Sequence, residues 1–181
     1  MSNFGERRKR IMRKCDIKEL IKNAINPRKI CRLFMKYDAN YFYCFPILVS
    51  DKLFLGANED DFILDGYTIR RFRDVVKAEI KDDKCLEIAM AEGIVDSIIV
   101  PDINIVDWYN VFASLQEMNR NIIIEKESID DEECIFAIGR ISKVTKTKVY
   151  FQHFDADGIW EEELWEIPFT EITSVSFGTR Y

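Results

Sequence analysis

The 181-residue chain has only seven glycines and four prolines. That is too little of either for a collagen-like or low-complexity chain. No apolar run approaches the roughly 18 residues a membrane-spanning helix needs. The basic start, MSNFGERRKRIMRKC, is followed by no apolar stretch and is not read as an export signal. Histidine occurs once, as His153, and the five cysteines (Cys15, Cys31, Cys44, Cys85, Cys134) are odd in number and scattered. A disulfide framework and a zinc site both need ligand spacings that this pattern lacks, and a reducing, cytoplasmic setting fits it. Cys31 and Cys44, set among apolar residues, read as small core fillers. No glycine-rich phosphate loop occurs.

What is present is a core-forming composition, 48% apolar and 13% aromatic, enough for one ordinary domain or two small ones. The net charge of −6 hides an asymmetry. Residues 1–37 hold twelve Lys/Arg and three acids, for +9, and the remainder is −15. A basic arm on an acidic body binds a polyanion, folds onto its own acidic surface, or packs on a neighbour's.

Asp16-Ile17-Lys18-Glu19 resembles a capping box. Ile17, Leu20, Ile21, Ala24 and Ile25 then repeat at helical spacing. Asn26-Pro27 ends this helix and starts a second one, with Ile30, Leu33, Phe34 and Tyr37 as its stripe. From Tyr41 the period becomes two. Short strands follow through Ile80, with Asp65-Gly66 as a hairpin turn. Leu86, Ile88 and Met90 alternate as a further strand. Asp107 caps a helix carrying Trp108, Val111, Phe112, Leu115 and Met118, and Ile122-Ile123-Ile124 is a buried strand. Phe136–Val144, Lys148–Phe154, Ile159–Ile167 and Glu171–Phe177 are the last strands.

The most informative feature is an internal repeat. Arg71–Ile80 aligns without gaps to Pro168–Phe177, an offset of 97 residues that matches Phe72 to Phe169. Upstream, Val49–Leu55 matches Val144–Phe151 with one insertion. Each copy reads as a helix and about five short, bent strands. Such strands lose their exposed edges by curling into a small barrel. The expected fold class is therefore α+β, mainly β. Its parts are a basic helical arm (1–27), a helix plus first barrel (28–92), a connection (93–106) and a helix plus second barrel (107–181).

A helix followed by five bent antiparallel strands resembles the Sm-like barrel of the SH3-like group, over 30–81 and 107–181, with hairpins at Asp65-Gly66 and Asp157-Gly158. That resemblance implies association through strand edges. The family's RNA-contacting loop signatures have no match in Asp65-Gly66-Tyr67 or Gly178-Thr179-Arg180. Val149-Tyr150-Phe151, Glu166-Ile167-Pro168 and Arg71-Phe72-Arg73 also resemble parts of WYL-type domains, without the defining Trp-Tyr-Leu.

Candidate chemistry is thin. Asp155-Ala156-Asp157-Gly158 holds a fragment of a calcium loop but lacks its other ligands and flanking helices, so an acidic turn is the simpler reading. His153 has no nucleophile at a suggestive spacing. The acid runs Asp130–Glu133 and Glu161–Glu163 read as solvated faces. Arg71 and Arg73 share a strand face opposite Phe72 and point to solvent, toward phosphate or acids. Trp165 is expected in the core with Ile167, leaving Trp160 and Leu164 as an interface. No catalytic, cofactor-binding or metal-binding residue is assigned. The expectation is a non-catalytic assembly module whose partner is another protein or a second copy. The alternative is nucleic-acid binding through Arg7, Arg8, Lys9, Arg10, Arg13 and Lys14, with Arg71 and Arg73.

Overall fold

A computed structural model describes residues 12–37, 41–81, 84–130 and 133–180. The helices are α1 (Lys14–Ile25), α2 (Lys84–Ala91) and α3 (Trp108–Met118). The strands are β1 (Ile30–Met35), β2 (Tyr41–Val49), β3 (Leu53–Asp60), β4 (Ile63–Arg71), β5 (Val75–Lys81), β6 (Ile122–Lys126), β7 (Ile135–Val144), β8 (Lys148–His153), β9 (Trp165–Pro168) and β10 (Ser174–Phe177). All ten strands form one antiparallel sheet in the order β5-β1-β2-β3-β4-β10-β6-β7-β8-β9.

The two expected barrels are therefore corrected to one continuous sheet, not closed into a barrel. The order shows why. Each half runs fifth strand, first, second, third, fourth. The second half's fifth strand, β10, bonds to β4 on one side and β6 on the other: Val175 faces both Ile69 and Ile124. Pairing β4 to β10 uses the edges that two separate units would have kept. One core then spans both halves. Phe45, Leu55 and Ile69 pack in the same cluster as Phe112, Phe151 and Val175, roofed by Leu86, Ala89 and the 93–105 segment. A smaller cluster lies on the opposite face of the first half, where Ile17, Ile21 and Ala24 of α1 cover Leu33, Cys44, Phe54 and Phe72.

The repeat recurs in the backbone. Ser50 Oγ and Thr145 Oγ1 each accept from and donate to the chain three residues on, at Leu53 and Lys148. Phe72 N donates to Lys52 O, and Phe169 N donates to Thr147 O, both at 2.9 Å. Register shifts fall at matching places in β2 (Pro46/Leu48) and β7 (Ile141/Lys143), where a bulge sharpens the bend before the hairpin.

Five local expectations change. Residues 30–35 are strand, because Cys31, Leu33 and Met35 are buried on one face between β2 and β5. Residues 84–91 are helix, burying Leu86 and Ala89 three apart. The β3–β4 turn is Asp61-Phe62, both with positive φ as a tight hairpin turn requires. Asp65-Gly66 lies inside β4 instead: a Cβ at Gly66 would stand 2.6 Å from the Phe177 carbonyl oxygen. Residues 161–164 are loop, and β9 is only four residues long. Asp107 does cap α3, its carboxylate accepting from Asn110 N at 2.9 Å. Asp16 sits in the first turn of α1 rather than at its cap, which is Arg13.

Candidate functional site

Among the described residues the sheet has two outer strands, β5 and β9. On β9 the direction of the backbone groups follows from one bond. Phe169 N donates to Thr147, so by antiparallel alternation Ile167 and Trp165 bond to β8, and Glu166 points outward. On β5 the same parity turns Val76, Ala78 and Ile80 outward. The Val76 carbonyl accepts from Met12 N at 3.0 Å, and Ala78 N lies 3.4 Å from the Met12 thioether, a weak acceptor.

The two borders differ in charge. The approach to β9 is Glu161-Glu162-Glu163 with Glu166, all exposed, Glu166 pairing with Lys148. That pairing and the Tyr150 hydroxyl raise the Lys148 pKa. Lys77 and Lys81 stand on β5. Beside β9 lies an aromatic cluster. Trp160 stands edge-on to Phe154 at 5.0 Å, with the Arg140 guanidinium 5.4 Å from its ring. Trp160 and Leu164, the expected interface pair, are 39% and 41% exposed. Trp165, expected in the core, is equally exposed: β9 begins there, and the ring packs on His153 at 3.9 Å. His153 Nδ1 is buried without a hydrogen-bond partner.

Arg7, Arg8, Lys9 and Arg10 lie outside the described residues. Arg13 is exposed and holds Asp16 through two 2.9 Å bonds, which raise the Arg13 pKa and lower that of Asp16. Lys14 reaches the Val75 carbonyl, and burial lowers its pKa. Arg71 is not solvent-facing. The strand stops there, residues 72–74 form a 3-10 turn, and its guanidinium pairs with the fully buried Asp74. Arg73 is exposed. Both arginines donate to the Thr170 carbonyl, at 3.3 and 3.5 Å, so the two aligned Phe segments meet.

Among the described residues, no cluster of three or more His, Cys, Asp or Glu stands ready to hold a metal, and no helix is long and apolar enough to cross a membrane. Sequence reasoning missed the outward backbone of Glu166; only the strand order exposes it. Compared with protein-family models, with curated proteins and with solved structures, the chain matches none.

Proposed function

We propose that the protein is an assembly module that joins further copies of itself by strand addition, β9 of one copy beside β5 of the next. One observation carries the reading. The chain already makes this kind of junction internally, fourth strand to fifth strand, between β4 and β10. The outer strands of the sheet are the remaining fourth and fifth strands of the two halves. The repeat offset transfers the register. Ile69↔Val175 becomes Glu166↔Ala78, and Tyr67↔Phe177 becomes Leu164↔Ile80; Met12, which holds Val76 and Ala78 at that edge, is displaced when the strand docks. Main-chain bonds supply the affinity in such an addition. The acidic approach to β9 and the lysines of β5 favour this orientation over β9 meeting β9. The contact is heterologous, so copies close into a ring or extend as a filament.

Static light scattering on the full chain tests this. Association gives a mass above 21.4 kDa, and Glu166→Pro, which deletes an outward N–H without touching the β8 ladder, returns the monomer mass. A monomer at high concentration, or an oligomer indifferent to Glu166→Pro, overturns it.

A further inference from the structure

A cleft of about 550 Å³ opens where the two halves meet. Each half contributes the same elements to it. The first residues of α1 and α3 (Lys14, Trp108), the two repeat hairpins (Asp51-Lys52, Lys146) and the two Phe turns (Phe72, Phe169) all line it. Its walls are rings. Phe72 and Trp108 are buried, and Phe169 is half-buried and stacked on Phe112 at 5.5 Å. Tyr109 is exposed at the mouth.

The charges at the rim do not cancel. Asp51 is paired with Lys18 at 2.9 Å, and Asp107, although it caps α3, keeps its charge and is outnumbered by Lys14, Lys52, Arg73 and Lys146 in the lining. Arg71 is neutralised by Asp74. Lys52, Arg73 and Lys146 are exposed at the rim. Lys52 forms no ion pair but lies near enough to Asp51 to help lower its pKa, after Lys18; among the described residues Lys146 has no acidic partner, and Arg73 reaches Asp74 only at 4.0 Å. An apolar ring-lined floor under a few convergent polar groups is the form of a small-ligand site. In a chain of net charge −6, a locally cationic mouth selects an anion.

We infer that this cleft binds a small aromatic anion, a molecule with one flat ring system and one carboxylate or phosphate head. The rings stack among Phe72, Trp108 and Phe169, and the head meets Lys52, Arg73 and Lys146.

The test titrates the full chain with anilinonaphthalene sulfonate and, in parallel, with phenylnaphthylamine, the same rings without the charge. The sulfonate is expected to bind roughly tenfold tighter, the scale of one charged hydrogen bond. Arg73→Glu with Lys146→Glu, both at exposed positions, removes that advantage, and Trp160→Ala leaves it unchanged. Displacement by adenosine monophosphate assigns a phosphate head, and displacement by indole acetate a carboxylate head. Equal binding of the neutral dye, indifference to the charge reversal, loss of binding in Trp160→Ala, or displacement by neither competitor overturns the inference.

Discussion

Asp74 and Glu171 occupy equivalent places in the repeat, two residues after Phe72 and Phe169, yet they should respond very differently to losing their charge. Asp74 is fully buried. Arg71, whose side chain is 7% exposed, pairs with one of its oxygens, and the Lys36 ammonium lies 2.8 Å from the other. Glu171 is 40% exposed and meets Lys126 at 3.3 Å. Asp74→Asn keeps the shape and strands the Arg71 guanidinium in the interior. Lys36, 37% exposed, turns to water instead. Breaking a buried pair on one side costs about 3–5 kcal/mol. Glu171→Gln breaks a surface pair, worth about 0.2–1 kcal/mol. Urea unfolding followed by circular dichroism reads the difference as a fall in midpoint at constant slope. A joint Arg71→Met, Asp74→Leu variant should recover most of the loss, because apolar residues of similar volume replace a buried pair at little cost. Asp74→Asn costing under about 1 kcal/mol, or Glu171→Gln costing as much as Asp74→Asn, refutes the reasoning.

Alkaline pH should unfold the chain through two buried thiols. Burial pushes Cys31 up to about 12 and Cys44 well above its ordinary value, whereas in the unfolded chain both ionise near about 8.5. Stability present at neutral pH is therefore lost as pH rises from about 9 toward 12, by up to about 1.4 kcal/mol per pH unit for each thiol. Replacing both cysteines by alanine should flatten that slope in denaturant titrations. Alkylation of native Cys31 and Cys44 as fast as the exposed Cys15 would contradict it. Gly66→Ala should cost at least about 2 kcal/mol, adding backbone contact to positive-φ strain, because its Cβ would meet the end of β10. Gly158→Ala, equally at positive φ but with open space around it, should cost about 1 kcal/mol in a thermal melt, and equal losses would deny the close approach at Gly66.

Signals that depend on near neighbours in the chain were legible. The α1 stripe, the Asp107 cap and the acidic Asp155–Gly158 turn each settle their own conformation locally. Asp155 Oδ1 bonds Asp157 N and Ile159 N, and Gly158 takes φ +78°. Segments with two readings were decided by remote partners. Ile30, Leu33, Phe34 and Tyr37 fit a helix, but Cys31, Leu33 and Met35 fit a strand, and flanking strands on both sides select the second. Leu86, Ile88 and Met90 alternate, yet the segment Lys84–Ala91 is built of helix formers, and propensity was the better guide. Asp65-Gly66 misled because its glycine serves a close approach from a strand more than 100 residues away, a demand no local dipeptide rule contains. The outer strands and the ring-lined cleft were illegible for the same reason: Lys14, Lys52, Trp108 and Lys146 become neighbours only once the sheet is assembled.

The weakness of the repeat at sequence level has a physical cause. On one face the equivalent positions agree: Phe54 matches Val149, Val75 matches Ile172, Ala78 matches Val175, and all six are buried. On the other face they change character. Phe45, Leu55 and Ile69 of the first half are buried in the shared core, while their counterparts Arg140, Tyr150 and Glu166 are exposed or half-exposed. The bonded pair Phe45↔Ala57 corresponds to Arg140↔Gln152, and Leu48↔Leu55 to Lys143↔Tyr150. The first half offers that face to α3 and the second half, which cover it. Among the described residues nothing covers the equivalent face of the second half. A face left to water must be polar, because an apolar one would collapse on other chains. The substitutions that blur the alignment therefore follow from fusing two units into one core.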